Sequence, residues 1–137
     1  MPGKPRVALA DTSVLIDYPT EQVAEVTDEV AVSVLTIGEL QFGVTAVSDP
    51  MEQMHRRRRI QDTLERVDVL PFDLPATEYY GTFCALVRQR GRNPRPRRMD
   101  LMIAASAARY GLPLLTRNGA DFMGLKSALT VIDLPDR

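Results

Sequence analysis

The 137-residue chain has a single cysteine, a single histidine and no hydrophobic run near the roughly 20 residues that a membrane-spanning helix needs. Cys84 has no partner for a disulfide within the chain, and its apolar neighbours predict a buried small side chain in a reducing compartment. The first apolar run is interrupted at Asp11, too early for the core of a signal peptide. These absences predict a cytoplasmic protein that makes no use of a membrane.

Lysine is also scarce, because nearly all the basic residues are arginines. Residues 55–59 hold four arginines and residues 79–99 hold six, and neither stretch contains an acid. Arginine grips phosphate in a planar, bidentate way, which favours a phosphate-binding surface at 88–98 and, less strongly, at 56–59. A solvated helix face, or contact with a partner protein at 56–59, explains the same pattern. The lone His55 lies in the first stretch, as is typical of a surface residue rather than a general base.

Strand-like and helix-like segments alternate along the chain, which predicts an α/β fold. Five strands are expected at 6–10, 30–34, 68–72, 112–115 and 129–132. Helices are expected to start at Asp11 and to span about 36–47, 50–66, 75–91 and 101–108, the last of them buried. Pro71 suits an edge strand or a strand end, and the prolines of 92–96 suit an extended basic loop. We expect one domain over residues 1–137, with a central parallel sheet of four to five strands covered by helices on both faces.

Four acids stand where these apolar segments begin or end: Asp11, Glu39, Asp100 and Asp121. Ligands bind beyond the carboxyl ends of the strands in open α/β sheets, and in a parallel sheet all four acids can reach that edge. Carboxylates beside apolar sequence are costly to desolvate, and converging carboxylates repel one another. A divalent cation resolves both costs, and ligands that are all oxygen favour Mg²⁺ or Mn²⁺. With arginines to hold phosphates, the pattern predicts metal-assisted hydrolysis of phosphodiester bonds.

Each acid also has a simpler interpretation. Asp11 and Asp100 are well placed to cap helices, Glu39 to be solvated on a helix, and Asp121 to be solvated in a loop. Asp17 and Asp133 are expected to serve structure rather than chemistry. Thr36 is expected to cap the helix that follows the second strand.

Four segments in the same order resemble the PIN-domain nucleases, and most closely the VapC toxins of bacterial toxin–antitoxin pairs. They are Leu9-Ala10-Asp11-Thr12-Ser13-Val14-Leu15-Ile16-Asp17, Thr36-Ile37-Gly38-Glu39-Leu40-Gln41-Phe42-Gly43, Asp100-Leu101-Met102-Ile103-Ala104-Ala105-Ser106-Ala107 and Leu115-Thr116-Arg117-Asn118-Gly119-Ala120-Asp121-Phe122. Ser106 stands where the family usually has threonine, and the hydroxyl is kept. The resemblance covers nearly the whole chain.

The resemblance implies a Mg²⁺- or Mn²⁺-dependent endoribonuclease that is the toxin of a type II toxin–antitoxin system. It implies metal coordination by four catalytic acids, which are Asp11, Glu39, Asp100 and Asp121. Thr116 would assist near the metal, and Thr12 or Ser13 would add hydrogen bonds. It also implies an RNA substrate, a homodimer and a cognate VapB antitoxin that occupies the site.

Two other functions remain open at the level of sequence. A phosphoreceiver signalling domain also sets an acid cluster and Mg²⁺ on an α/β sheet, but it needs a second acid beside Asp11, an acceptor aspartate near the third strand and a lysine near the fifth strand. Lys126 is the only nearby lysine, and it precedes that strand. A non-catalytic RNA-binding module with the same fold is the other alternative.

Overall fold

The computed structural model describes residues 3–134, in which five strands form one parallel sheet. The strands are β1 (Val7–Ala10), β2 (Glu29–Ser33), β3 (Asp68–Leu70), β4 (Leu114–Thr116) and β5 (Val131–Asp133). Their order across the sheet is β3-β2-β1-β4-β5. The predicted α/β class and parallel sheet are therefore confirmed. Residues 1–2 and 135–137 of the predicted domain lie outside the described part of the chain.

Helices connect the strands. Within residues 3–134 the α-helices are α1 (Thr12–Leu15), α2 (Thr20–Val26), α3 (Val34–Thr45), α4 (Pro50–Arg66), α5 (Leu74–Gln89) and α6 (Arg98–Arg109). Two 3-10 helices lie at Arg95–Arg97 and Gly119–Leu125. Asp49 and Asp73 cap α4 and α5 through their carboxylates, and a proline follows in the first turn of each helix.

Both faces of the sheet are covered, as its alternating side chains require. On β1, Leu9 points into one core, and Ala8 and Ala10 belong to the other. The first core is built largely from α5 and α6, with Phe83 and Ile103 fully buried. The second contains apolar residues of α1 and α2. A strand buried on both sides can be apolar at every position, which is why residues 7–10 contain no polar side chain.

Helix α3 begins earlier than predicted. Ser33 ends β2 and caps the helix, because its hydroxyl accepts a hydrogen bond from the backbone N–H of Leu35 at 3.1 Å. The predicted cap, Thr36, is instead a buried residue of the first turn. Glu39 consequently lies in the second turn of α3 rather than in the first.

Helix α6 also starts before its predicted first residue. It begins at Arg98, so Asp100 is a first-turn residue and not the cap that a simpler interpretation suggested. The rest of the helix is buried on nearly all sides, as predicted, because its small alanines let α5 and the sheet approach closely.

Three other local features differ from or extend the sequence interpretation. The basic segment is not extended throughout, because Pro94 has helical dihedral angles and residues 95–97 form a 3-10 turn. The helix α2 and the 3-10 helix after β4 were not predicted, since both are short and weakly periodic. Cys84 is buried and β3 lies at the edge of the sheet, as expected. Within the described residues, no helix is both long enough and apolar enough to cross a bilayer.

Candidate active site at the carboxyl edge of the sheet

Asp11 lies at the centre of the carboxyl edge, directly after β1. Its backbone N–H donates to the carbonyl of Leu115 at 3.0 Å, which ties the end of β1 to β4. The same residue caps α1, so its carboxylate is turned back toward the first turn of that helix. Only 6% of Asp11 is exposed to solvent. Burial of a carboxylate at such a position requires hydrogen-bond donors around it.

Two hydroxyl groups and one amide surround the Asp11 carboxylate. Its Oδ1 accepts hydrogen bonds from the backbone N–H of Ser13 at 3.0 Å and from the Ser13 hydroxyl at 2.5 Å. Its Oδ2 accepts a hydrogen bond from the Thr116 hydroxyl at 2.6 Å. Thr116 is fully buried, and its Oγ1 also accepts from the backbone N–H of Asn118 at 3.0 Å. These bonds fix the orientation of Asp11 and connect it to the loop that carries Asp121.

Glu39 reaches the same edge from α3. Its Oε1 accepts a hydrogen bond from the Thr12 hydroxyl at 2.5 Å. The two adjacent hydroxyls of α1 therefore serve different acids, Thr12 holding Glu39 and Ser13 holding Asp11. Either Thr12 or Ser13 was expected to contribute hydrogen bonds, and in the structure both of them do.

Asp100 lies within electrostatic reach of the other three acids. Burial is the main reason that its pKa is raised above the ordinary value, and the nearby Arg97 guanidinium lowers the pKa in opposition. Repulsion from Asp11, Glu39 and Asp121 raises it further. The fold therefore brings together all four acids singled out in the sequence, although they come from four separate segments.

The four acids do not form a closed cage. Among residues 3–134, no group of three or more histidine, cysteine, aspartate or glutamate side chains is arranged to hold a metal ion directly. Hydroxyl groups hold Asp11 and Glu39, and Asp121 is exposed in the first turn of the Gly119–Leu125 helix.

The sequence did not predict the position of Arg97 relative to the acids. Its guanidinium lies 5.4 Å from the centre of the Phe122 ring and opposes the pKa rise at Asp100. The signal for this electrostatic interaction was the spacing of three residues between Arg97 and Asp100 at a helix start, which brings two side chains near one another. It could not be used while the helix was expected to begin at residue 101.

The remaining acids near the edge have structural partners. Asp17 pairs with Arg117 at 3.2 Å, and an Asp133 oxygen accepts from the backbone N–H of Gly119 at 3.2 Å. A methyl group on Gly119 would lie 2.6 Å from Cγ of Asp133, so only glycine fits here without a shift. Asp133 thereby anchors the start of the loop that carries Asp121. His55 is exposed on α4, as expected of a surface residue.

Comparison with known proteins gives a consistent result. Residues 8–123 match the PIN domain. The chain is 32% identical over 134 residues to Ribonuclease VapC5 of Mycobacterium tuberculosis, covering 96% of each chain. It is 33% identical over 118 residues to Ribonuclease VapC4 of the same organism, covering 82% of this chain and 87% of that one.

A solved structure agrees with these sequence relatives. A member of the VapBC family of toxin–antitoxin systems, VapBC-5 from Mycobacterium tuberculosis, superposes with a TM-score of 0.79 at 31% identity, covering 96% of this chain and 100% of that one. The resemblance found in the four sequence motifs is thus confirmed over nearly the full length. The chain belongs to the PIN-domain family, among the VapC ribonucleases.

Proposed function

We propose that this protein is the toxin of a type II toxin–antitoxin system and hydrolyses RNA phosphodiester bonds with the help of Mg²⁺. PIN-domain ribonucleases generally depend on a divalent metal ion. The observation that carries the proposal is the convergence of Asp11, Glu39, Asp100 and Asp121 at the carboxyl end of a parallel sheet, where burial first, and then repulsion from the other three acids, raises the pKa of the half-buried Asp100. Such a concentration of negative charge costs stability unless a cation compensates it.

The donor set fits Mg²⁺. The residues that would hold the ion are Asp11, Glu39, Asp100 and Asp121, all of them oxygen donors, with Mn²⁺ as the alternative. An open arrangement suits Mg²⁺, which keeps several waters and binds one or two carboxylates directly. When bound, the ion would supply an activated water and neutralise the charge that develops on the phosphate.

Neighbouring side chains would keep the acids in position before RNA arrives. Thr116 and Ser13 hold the two oxygens of Asp11, and Thr12 holds Glu39. Groups that orient metal ligands in this way raise both metal affinity and activity. We assign Thr116 this supporting role rather than direct metal binding.

The partners are proposed by analogy with the relatives. The solved structure described above is of a member of the VapBC family of toxin–antitoxin systems, and we propose a cognate VapB antitoxin for this chain as well. We also propose an RNA substrate, a homodimer and a cytoplasmic location, to which the single buried Cys84 is suited.

The strand order disfavours the phosphoreceiver alternative. Phosphoreceiver domains have the flavodoxin-like order 2-1-3-4-5, whereas this sheet has the order β3-β2-β1-β4-β5. Asp68, the only acid of β3, lies at the amino end of that strand, away from the acid cluster. The aspartate that accepts the phosphoryl group in a phosphoreceiver domain would have to lie at the carboxyl end of that strand.

The proposed activity predicts that the purified protein cleaves single-stranded RNA in Mg²⁺ and that EDTA stops the reaction. Cleavage should return when Mg²⁺ or Mn²⁺ is restored in excess. Gel analysis of a labelled RNA measures both steps. Metal-independent binding of RNA without turnover, in any divalent ion, would instead support the non-catalytic RNA-binding module.

Neutralising Arg95, Arg97 and Arg98 together should weaken RNA binding and flatten its dependence on salt. Each lost phosphate contact on a single strand reduces the slope of log K against log salt by about 0.7. A comparison variant neutralises Arg57, Arg58 and Arg59, which removes the same charge from the exposed face of α4 and tests the less strongly favoured stretch in the same assay. An affinity and a salt slope unchanged from the parent protein would show that residues 95–98 face away from RNA.

A further inference from the structure

A small cavity lined by arginines lies beside the acid cluster. Its lining includes Arg90 at the end of α5, Arg92 and Arg97 from the basic segment, and Asp121 and Gly124 from the 3-10 helix after β4. Three guanidinium groups face one carboxylate, so the lining carries two net positive charges. The acid cluster has the opposite, negative charge, although Asp121 belongs both to the cluster and to the cavity lining.

The size of the cavity restricts what it can bind. Its volume is about 30 Å³. A water molecule needs about 10–15 Å³ on the same measure, so the space suits two or three oxygen-sized atoms. That matches the two non-bridging oxygens of a backbone phosphate, and the cavity is too small for a nucleobase.

One nitrogen of Arg97, which is a lining residue of this cavity, has no hydrogen-bond partner among the described residues. This atom, Nη2, is buried. A buried cationic N–H without an acceptor is costly, and native proteins rarely leave one unsatisfied. An anion in the cavity would give the guanidinium an acceptor, while the Phe122 ring holds it in place.

Gly124 leaves space for Arg90. A methyl group on Gly124 would lie 2.7 Å from Cδ of Arg90, closer than any real contact. The backbone at Gly124 does not have a positive φ, so glycine is not needed there for conformation. Its lack of a side chain instead lets the Arg90 chain lie against the 3-10 helix that carries Asp121.

We propose that the cavity lined by Arg90, Arg92 and Arg97 is a phosphate subsite that binds a backbone phosphate of RNA next to the scissile one. The inference rests on the proposed ribonuclease function and extends it, because it assigns a position to the neighbouring phosphate. Arginine forms bidentate hydrogen bonds to phosphate, and these fix the register of a strand without reading its bases. The three arginines are therefore positioning residues.

The test compares steady-state cleavage of a short fluorescent single-stranded RNA of randomised sequence, in Mg²⁺, by four proteins. Arg90→Gln removes the charge, and Gly124→Ala displaces Arg90 without removing it. Arg6→Gln is the matched control, because it removes one charge from an exposed position just before β1, at the amino edge of the sheet and outside the cavity. We expect KM to rise about tenfold for the first two variants, with kcat changed less than about twofold, and Arg6→Gln to match the parent. Thermal unfolding checks that each variant is folded.

Inorganic phosphate serves as a competitor and distinguishes a site for an RNA phosphate from a site for free phosphate. It should inhibit the parent protein and inhibit Arg90→Gln less. An unchanged KM in both Arg90→Gln and Gly124→Ala would overturn the subsite. If phosphate inhibition depends on Arg90 while the KM for RNA does not, the cavity takes a free phosphate and the RNA assignment fails. A parent protein that does not cleave RNA would overturn the proposed function itself, and the RNA subsite with it.

Discussion

Replacing Asp100 with asparagine should abolish most RNA cleavage and, at the same time, stabilise the metal-free protein. The loss of activity follows from the loss of one of four acids around the proposed metal. A bound metal supplies several kcal/mol of charge stabilisation, and each tenfold in rate corresponds to about 1.4 kcal/mol. We therefore expect cleavage to fall on the order of a thousandfold. The measurement is kcat/KM for a labelled RNA in Mg²⁺.

The gain in stability follows from the raised pKa of Asp100. Because the pKa of a half-buried Asp100 is higher in the folded protein than in the unfolded chain, the ionised carboxylate lowers the free energy of unfolding at neutral pH. This loss of unfolding free energy is absent at pH values below the pKa of Asp100 in the unfolded chain. It develops as pH rises from that value through the higher pKa of Asp100 in the folded protein. Asparagine removes the charge, so Asp100→Asn should melt at a higher temperature in EDTA at pH 7. The difference should disappear in acid.

A divalent metal ion should reverse the order of the melting temperatures of the parent protein and Asp100→Asn. Binding to the folded state stabilises it, and the parent protein should gain more stability in Mg²⁺ than Asp100→Asn does. Asp62→Asn is the matched control, since it makes the same chemical change at an exposed site on α4. Asp62→Asn should leave cleavage unchanged. Full activity in Asp100→Asn, or a lower melting temperature than the parent in EDTA, would contradict the assignment.

Replacing Thr116 with valine should impair both stability and cleavage, although valine has nearly the same shape. The fully buried hydroxyl donates to Asp11 and accepts from the backbone N–H of Asn118. Valine leaves the buried Asp11 oxygen without this donor, which costs about 1–3 kcal/mol of unfolding free energy, and the N–H of the exposed Asn118 loses its acceptor as well. It also releases Asp11, and loss of a group that orients a metal ligand typically costs about 10–100-fold in activity.

Thr116→Ser keeps the hydroxyl and is the matched control. Urea unfolding measures the change in stability, and cleavage at saturating Mg²⁺ measures the change in activity. Thr116→Ser should retain most of both. Equal activity in the valine and serine variants would mean that the hydrogen bond to Asp11 makes no contribution to the reaction.

Element boundaries show where local sequence was sufficient and where it was not. The helix over 50–66 was predicted to the residue, because Asp49 and Pro50 are a strong local start signal. The helix over 34–45 was misplaced by two residues because Val34 continues an apolar, β-branched run, and the cap was assigned to Thr36. Ser33 decides that boundary through a hydrogen bond that depends on how β2 ends. Such competition between adjacent signals cannot be resolved from one sequence.

The sequence by itself determined the fold class and the family and singled out the four acids, since alternating apolar segments and short motifs express these directly. Only the tertiary structure decided how the acids meet. The order β3-β2-β1-β4-β5 places β1 beside β4, so Asp11 contacts Thr116 across 105 positions of the chain. Strand order depends on which long-range pairings bury the most apolar surface together. No local pattern encodes that choice of strand order. The same choice decides that the hydroxyls of Thr12 and Ser13 meet the acids, where the Arg97 guanidinium lies and where the arginine-lined cavity forms.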